Sequence, residues 1–386
     1  MDCKPPTGPL AGIKVVELAG IGPAPFCCML LADMGAEIIR VDRVAPADLG
    51  VPADPRFQIP NRGRRSIAVD LKSGEGIGLV KELIVNADVL VEGYRPGVTE
   101  RMGLGPADCM AINPRLVYGR MTGWGQDGPL AQAAGHDINY IALTGALDAI
   151  GTRGGDPIPP LNLVGDFGGG ALYLAFGIAC ALLESRTSGK GQVVDGAIVD
   201  GAANLMAGVF AMMARGAWSR ERGGNMVGGG RPWYGVYRTL DDQYISLGAV
   251  ENRFYKELLK RTGLNEPELL PREDPAGWAD LSEKLRAAIR SRTRQEWTAL
   301  LEGTDVCFAP VLSVDEAAEH PHMKARKVFV EEYGMLQPAP APRFSRSEPS
   351  IRRPPPTPGQ HTRELLQEMG CDAQRVDALF ACGAVV

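Results

Sequence analysis

The feature that most restricts the fold of this chain is a strand–helix–strand pattern near its start. Residues 13–18 form a short apolar run typical of a buried strand, and Pro23 suits the first turn of a helix. The helical pattern continues to Gly35, and residues 36–42 form a second apolar strand. Two strands joined through a helix run parallel, because the connection is a crossover rather than a hairpin. The pattern therefore predicts a parallel sheet.

Further alternating elements extend this sheet. Strands are predicted at residues 66–71, 88–92, 116–121 and 193–195, and helices at 74–87, 168–183 and 200–213. This alternation favours an open α/β sheet with helices on both faces. The first strand is not followed by a G-x-G-x-x-G fingerprint, so an oxidoreductase that binds a nicotinamide dinucleotide is a poor alternative.

The pattern changes in the second half of the chain. A glycine-rich loop covers residues 222–232, and a hairpin is predicted over 236–250, followed by three helices. Residues 225–330 therefore predict a smaller α+β domain. Proline-rich segments at 338–342 and 354–358 predict extended connectors, and two helices are predicted after them.

Composition excludes several classes of protein. The chain has 386 residues and a net charge of −5, which argues against a nucleic-acid partner. Charged residues interrupt the apolar runs, so we expect no membrane span, and the start of the sequence has no signal-peptide pattern. The eight cysteines lack metal-ligand spacing. We therefore expect a cytoplasmic protein with free thiols and no metal.

One histidine stands apart as a candidate catalytic residue. His136 follows Gly135 and precedes an apolar helical pattern, whereas the other three histidines lie near the C-terminal end. Imidazole ordinarily titrates near physiological pH, so it exchanges protons readily. Asp166 is a second ionisable group, in a glycine-rich turn predicted to precede a helix. The alternative is a capping or core histidine with no chemistry.

Arginines cluster near the predicted strand ends of the first half. Because ligands of open α/β sheets bind outside the carboxyl ends of the strands, and because guanidinium groups suit phosphates, this cluster predicts a nucleotide-phosphate site. The alternative is a solvated charged rim. The cluster comprises Arg40, Arg43, Arg62, Arg64, Arg65, Arg95 and Arg101.

Glu251 ends a predicted strand just before a helix. Such a carboxylate is often only a helix-start residue that the helix dipole favours. The functional alternative is an orienting residue that accepts the second N–H of His136 and fixes its tautomer.

Six longer motifs identify a family. They are LADMGAEIIRVDR, EGYRPGVTERMGLGP, MTGWGQ, AGHDINY, PLNLVGDFGGG and GKGQVVD, which begin at Leu31, Glu92, Met121, Ala134, Pro160 and Gly189. With them the sequence resembles α-methylacyl-CoA racemases, within the family III CoA-transferase superfamily. The resemblance extends over nearly the whole chain.

The resemblance implies an activity and a set of site residues. The activity is interconversion of (2R)- and (2S)-2-methylacyl-CoA thioesters through an enolate, with CoA carried as part of the substrate and no separate cofactor. His136 and Asp166 would be the two acid/bases, assisted by Glu251. The residues expected to hold CoA and the thioester are Arg43, Val69, Asp70, Leu71, Lys72, Arg95, Arg101, Gly135, Asp137, Ile138, Asn139 and Tyr140.

It also implies an architecture. A large Rossmann-like domain would combine residues 1–200 with a return segment at 331–386, and 201–224 would form a linker helix to the small domain. The partner would be a second copy of the chain in an interlocked homodimer, in which Glu251 reaches the His136 of the other subunit.

In this reading neutral His136 removes the α-proton, and Asp166, held protonated by burial, supplies one to the opposite face. Backbone N–H groups at Gly135 and at a helix start near Gly168–Gly170 would stabilise the enolate. A methionine-rich helix around Met206, Met212 and Met213 would carry the acyl tail; plain core packing is the alternative.

The sequence departs from the racemase pattern in its glycine-rich loop. Gly228 replaces an acidic residue and Arg231 replaces an alanine, which makes the loop more like that of true CoA-transferases. A CoA-transferase with Asp137 as nucleophile is therefore one alternative, and a non-catalytic acyl-CoA-binding protein is another. We expect Arg231 to select acyl chains that bear a carboxylate.

Overall fold

The computed structural model describes residues 7–45, 54–264 and 269–386. The chain divides into two compact units. Unit 1 comprises Met1–Thr144, Pro160–Ala207 and Lys327–Val386, and unit 2 comprises Gly145–Pro159 and Gly208–Arg326. Unit 1 thus combines early and late parts of the sequence around an inserted unit, as the family resemblance implied.

The strands of the described residues are β1 (Lys14–Leu18), β2 (Glu37–Arg43), β3 (Arg64–Val69), β4 (Val89–Glu92), β5 (Val117–Thr122), β6 (Val193–Ala197), β7 (Tyr234–Arg238), β8 (Tyr244–Gly248), β9 (Phe308–Val311), β10 (Phe329–Glu332) and β11 (Met335–Pro338).

The α-helices are α1 (Pro23–Asp33), α2 (Gly74–Val85), α3 (Val98–Arg101), α4 (Pro106–Ile112), α5 (Asp137–Leu143), α6 (Ala146–Ala149), α7 (Leu172–Ser188), α8 (Ile198–Leu205), α9 (Ala207–Ala214), α10 (Asn252–Thr262), α11 (Trp278–Ile289), α12 (Arg294–Leu301), α13 (Val314–Glu319), α14 (Pro321–Ala325), α15 (Thr362–Glu368) and α16 (Ala373–Ala381). A π-helical segment, Leu163–Ala171, leads directly into α7.

Unit 1 is built on a six-stranded sheet with the order β3-β2-β1-β4-β5-β6. Every neighbouring pair in it is parallel, so the predicted α/β class is confirmed. The order reverses between β1 and β4, and parallel strands leave a crevice for ligands at such a point, outside their carboxyl ends. Apolar clusters cover both faces: one includes Leu79 and Leu366, the other Leu31 and Ile178.

The apolar helix of unit 1 differs from the prediction, because it begins at Leu163 and not at Gly168. A Cβ on Gly201 would lie 1.9 Å from the carbonyl oxygen of Gly169, so glycine is required where this segment crosses α8. The glycines therefore serve a close approach of two helices within the fold, and they do not mark a helix start.

The same continuous helix corrects the expectation about membrane-length runs. Residues 163–188 are long and apolar enough, by length and composition alone, to cross a bilayer. One side of α7 is buried in the core of unit 1 through Leu174 and Ile178, whereas Phe176 is 70% exposed on the other side. Apolar residues on both sides of one helix are what make the run so long.

The boundaries of the two units differ from the predicted domain boundaries in two places. Residues 145–159 belong to unit 2, since the guanidinium of Arg222 donates to the backbone oxygens of Asp148 (2.7 Å) and Gly155 (2.6 Å). The region 201–224 is not one linker helix: α8 and α9 are separate helices, and the boundary falls between Ala207 and Gly208.

Unit 2 contains a three-stranded antiparallel sheet of order β7-β8-β9. Its core packs helices α10, α11 and α12 on the sheet through residues such as Ile245, Leu285 and Trp297. The edge strand β9 was not predicted; it is short and contains Pro310, which an edge strand tolerates because one side of it needs no ladder hydrogen bond.

The return segment is more ordered than its prolines suggested. Strands β10 and β11 form a hairpin whose two turn residues, Tyr333 and Gly334, both have positive φ, at 55° and 75°. This is the geometry of a tight hairpin turn. Farther on, Val385 forms an antiparallel bridge with Val69 at the outer edge of the sheet, and Arg62 bonds Gln337 and the oxygen of Pro338, both at 2.8 Å.

Candidate active site

A cavity of about 370 Å³ lies at the carboxyl edge of the unit 1 sheet, and we call it the site cavity. Its walls come from the loops after β1 (Ile21–Pro23) and β4 (Gly93–Pro96), the two strands between which the strand order reverses. The site cavity therefore occupies the crevice where an open α/β sheet binds its ligands.

His136 lines the site cavity from the residue before α5. Its backbone N–H donates to the side-chain oxygen of Asn139 at 3.0 Å, and its carbonyl accepts from the Asn139 N–H at 2.8 Å. This reciprocal pair fixes the extended backbone of His136, with φ −132°. The exposed imidazole is thereby presented at a defined place on the cavity wall.

The segment before His136 is fitted closely to two aromatic rings. A Cβ on Gly135 would lie 2.8 Å from the Tyr140 ring and 3.1 Å from that of Trp124. The Tyr140 hydroxyl donates to the Gly135 carbonyl, and the two rings meet edge to face at 4.7 Å. Glycine is therefore required at 135, and the Tyr140 hydroxyl fixes the backbone directly before His136.

Asp166 lines the same cavity from the π-helical segment, so the structure brings together two residues that are 30 positions apart. It lies inside a helix and not in the predicted turn. Burial, followed by the nearby charge of Asp137, raises the pKa of the half-buried Asp166 carboxyl to about 6; a hydrogen bond from Asn162 and the charge of His136 act in the opposite direction. The carboxyl group therefore retains its proton closer to neutral pH than an ordinary aspartate does.

Asp137 has a different position from the one that the transferase alternative requires. It is 9% exposed, and its carboxylate accepts the backbone N–H of Asp166 at 2.7 Å. A Cβ on Gly165 would come within 2.3 Å of that carboxylate. The side chain is not among the described residues that line the site cavity. This packing favours a role in positioning Asp166 over nucleophilic attack.

The predicted CoA-binding positions follow the carboxyl ends of neighbouring strands. Arg95 lines the site cavity, and Arg43 lies over the Tyr94 ring at 5.7 Å, from guanidinium carbon to ring centroid. Arg101 and Lys72 are exposed. Their predicted contacts with CoA remain predictions.

Other members of the predicted set have structural roles. Val69 is buried in β3, Leu71 packs against the core of unit 1, and the carboxylate of Asp70 accepts the Lys72 N–H at 3.0 Å. Ile138 is 43% exposed on α5.

Four of the seven clustered arginines are not available to a phosphate, which corrects that part of the prediction. Arg40, Arg62, Arg64 and Arg65 are buried and ion-paired. Arg40 bonds Glu17 at 2.7 Å, Arg64 bonds the other oxygen of Glu17, and Arg62 bonds Asp33 at 2.6 Å. Glu17 and Asp33 are buried carboxylates of β1 and α1, whereas Arg65 bonds Glu37 of β2 and Glu364 and Glu368 of α15. All four guanidinium groups therefore serve the structure of unit 1.

Two further predictions concern residues outside this cavity. Glu251 belongs to unit 2, where it is exposed and directly precedes α10; its role as a partner of His136 remains a prediction. The methionines 206, 212 and 213 do not share one helix, because Met206 follows α8 in unit 1 and the other two lie in α9 within unit 2.

The site also contains residues that the sequence did not identify as site candidates, among them Trp124 and Gly22. Trp124 lines the cavity, and its buried indole N–H has no hydrogen-bond partner among the described residues. Gly22 has φ 69°, and a Cβ there would lie 3.5 Å from the carboxylate of Asp166. The signal for both was a glycine close to a strand end: Gly20 of GIGP follows Ala19 after β1, and Gly123 of TGWG directly follows β5.

Comparison with known proteins identifies the family of the chain. The model of CoA-transferase family III matches residues 10–362. The alpha-methylacyl-CoA racemases of Mus musculus and Homo sapiens are 42% and 40% identical to this chain, each over 95% of both chains. The crystal structure of a CAIB/BAIF family protein from Brucella suis, at 27% identity, aligns with a TM-score of 0.82 over 94% of this chain and 100% of that one. The predicted resemblance is confirmed, and the chain belongs to CoA-transferase family III.

Proposed function

We propose that this chain is an isomerase that interconverts (2R)- and (2S)-2-methylacyl-CoA thioesters. The observation that carries the proposal is the presence of His136 and Asp166 in one cavity, with the pKa of Asp166 raised to about 6. Two acid/base groups of different chemistry in one crevice are what a 1,1-proton transfer needs, and a pKa near 6 lets the carboxyl group both hold and release a proton close to neutral pH. Relatives at 42% and 40% identity that are named racemases support the same assignment.

The reaction moves one proton off and one proton onto the same carbon. The imidazole of His136 takes the α-proton, and the C–H electron pair moves into the C–C bond while the thioester carbonyl becomes an enolate. Asp166 then gives its proton to the opposite face of the α-carbon, and the enolate returns to the thioester. For the other enantiomer the two residues exchange roles, so the cycle needs no metal and no cofactor beyond the CoA of the substrate.

The enolate oxygen requires hydrogen-bond donors. Gly168–Gly170 cannot supply them as predicted, because these residues lie inside the π-helical segment and not at a helix start. The other predicted donor is the backbone N–H of Gly135, and Gly135 lines the site cavity beside His136. We assign the stabilisation of the enolate to this N–H group.

The CoA part is proposed to lie along the carboxyl edge of the sheet. Arg95 in the site cavity and the exposed Arg43, Arg101 and Lys72 place four positive charges at or after the ends of β2, β3 and β4. Guanidinium and ammonium groups at these positions suit the phosphates of a nucleotide.

We also propose that the chain acts as a homodimer in the cytoplasm. The outer side of α7 exposes Leu172 (52%), Phe176 (70%) and Leu183 (70%), spaced by four and seven residues along one side of the helix. An apolar stripe of this kind is commonly covered by another protein surface. Sedimentation equilibrium showing twice the chain mass would support a second copy as the cover, and a monomer at micromolar concentration would contradict it.

The decisive experiment measures α-proton exchange from 2-methyloctanoyl-CoA in heavy water by mass spectrometry. The wild-type chain should incorporate one deuterium starting from either enantiomer. His136→Ala and Asp166→Asn should each lose at least a hundredfold of the exchange rate in at least one direction. His322→Ala, which alters an exposed histidine of unit 2, is the matched control and should behave as wild type.

Two results would overturn the proposal. One is unchanged exchange in both directions by His136→Ala. The other is transfer of CoA to a free acid by the wild-type chain with a hydroxylamine-trapped acyl intermediate on Asp137, which would establish the transferase alternative.

A further inference from the structure

A second cavity lies wholly within unit 2 and has no part in the chemistry described so far. It measures about 1060 Å³ and is bounded by the glycine-rich loop, strands β7 and β8, and helix α11. Cavities that enclose small organic ligands have volumes of several hundred to about 1,000 Å³. We call it the arginine cavity, after Arg153, Arg231 and Arg286 in its lining.

The charged residues that line the arginine cavity are all positive. No acidic side chain is among its described lining residues, although the whole chain has a net charge of −5. Arg153 and Arg286 pair with Glu221 and Glu283, but these pairs are at least half exposed and contribute little to neutralising the field inside the cavity. The cavity therefore attracts anions.

Arg231 is placed to form a direct contact with an anion in the arginine cavity. Its guanidinium stacks on the Trp278 ring with its carbon 3.8 Å from the ring centroid, and Nη1 donates to the carbonyl oxygens of Gly224 (2.9 Å) and Gly230 (3.0 Å). Nε and Nη2 have no partner among the described residues, so one edge of the planar fork is unused. Burial and the nearby charge of Arg153 lower the pKa of Arg231, as expected for a cation without a facing carboxylate.

The rest of the lining shows what else the ligand must contain. Tyr234, Val236, Trp278 and Phe308 give the cavity an apolar and aromatic wall beside the arginines. Inorganic phosphate would leave that wall in contact with water, whereas a carbon chain would cover it. A carboxylate fits the free edge of a guanidinium in a bidentate manner.

We propose that the arginine cavity binds an organic anion whose carboxylate pairs with Arg231 and whose carbon chain lies on the aromatic wall. Such a carboxylate has two possible sources: a free organic acid, or the far end of the acyl chain of the thioester substrate. The second source rests on the proposed racemase function, and the first does not.

The first arm of the test measures binding of free suberate to the full-length chain by isothermal titration calorimetry. Wild type should bind suberate and octanoate, and bind inorganic phosphate at least tenfold more weakly. Arg231→Ala should weaken suberate binding at least tenfold. Arg363→Ala is the matched control, because Arg363 also stacks on an aromatic ring, at 4.2 Å from Phe380, but lies in unit 1. It should leave the affinity unchanged.

A melting temperature of Arg231→Ala within about 2 °C of wild type shows that the variant is folded; Arg231→Lys, which keeps the charge, should recover part of the affinity. The proposal is wrong if wild type binds neither acid at millimolar concentration, if phosphate binds as tightly as suberate, or if Arg231→Ala binds suberate like wild type.

The second arm distinguishes the sources of the carboxylate. It compares kcat/KM for α-proton exchange from 2-methylsuberyl-CoA, free at its far carboxylate, and from 2-methyloctanoyl-CoA. If the acyl chain is the source, Arg231→Ala lowers the ratio of the two at least tenfold and leaves the second substrate unaffected. If a free acid is the source, the ratio is unchanged while suberate binding is lost. Failure of the proposed function would appear as no exchange by wild type, and it would not affect the first arm.

Discussion

Unit 1 contains two groups of arginines that differ in environment: one group is buried in ion pairs, and the other is exposed at the carboxyl ends of the strands. Arg40 and Arg64 lie within strands, and both bond Glu17 of β1, which lies directly opposite Arg40 in the sheet register. Arg43 and Arg95 stand at or beyond the carboxyl ends of β2 and β4 and remain exposed. Position along the strand decides between the two, because a guanidinium within the sheet must find a carboxylate, whereas one past the strand end remains free for a ligand.

The largest effect that we expect is a loss of stability when an arginine of the buried group is removed. Arg64→Ala leaves Glu17, which is fully buried, with Arg40 as its remaining ion-pair partner. It also removes the donors to the backbone oxygens of Pro25 and Pro60. We expect unit 1 to lose about 3–5 kcal/mol of unfolding free energy, measured by urea denaturation. A loss below about 1 kcal/mol would show that the buried arginines are not structural.

The exposed group should give the reverse result. Arg95→Ala should change the unfolding free energy by less than about 0.5 kcal/mol. The KM for 2-methyloctanoyl-CoA should rise about tenfold, because a contact from an arginine to a phosphate is lost. The rise should shrink as salt is added, since added ions screen the remaining charges. Steady-state exchange assays at low and high salt measure this, and an unchanged KM would contradict the CoA assignment.

The smallest effect concerns a carboxyl group without a paired arginine. The pKa of Asp166 is raised from its ordinary value of 3.8 to about 6, so the folded chain holds this proton more tightly than the unfolded chain. The contribution of Asp166 to the unfolding free energy must therefore fall as pH rises from about 4 to 6. Above pH 6 the destabilisation by its buried charge is fully present. Asp166→Asn should stabilise unit 1 by about 1 kcal/mol at pH 7.5, a figure reduced for partial solvent screening, and by nothing at pH 4.

Denaturant titrations at the two pH values, with wild type and variant in parallel, measure this difference. An equal change at both pH values would show that the carboxyl group does not titrate as described.

The sequence predicted those parts of the fold and site that depend on local pattern. The strand–helix–strand unit at residues 13–42 and the alternating elements after it predict a parallel sheet, in which the loops after β1 and β4 lie at one edge. The glycine-rich surroundings of His136 and Asp166 identify both residues as site candidates. The structure shows both residues in the site cavity at that edge.

The remaining features depend on contacts far apart in sequence. The position of Arg64 near a strand end predicts a phosphate ligand, but its side chain bonds Glu17, which lies 47 positions earlier and cannot be identified from local sequence. The sequence predicts residues 145–159 as part of the large domain, whereas a hydrogen bond from Arg222, 74 positions beyond Asp148, connects them to unit 2. The hairpin of β10 and β11 was missed because its first turn residue is Tyr333, and a tyrosine with positive φ gives no turn signal in a sequence.

The return segment has a consequence for how the protein is made. Arg62 bonds Gln337 and Pro338, and the edge of β3 is bridged by Val385, so unit 1 needs residues that a ribosome adds only after all of unit 2. During synthesis the inserted unit is therefore free to fold first. Until then the nascent β3 edge keeps unpaired backbone groups at Val69, and unpaired strand edges are sites at which partly folded chains aggregate.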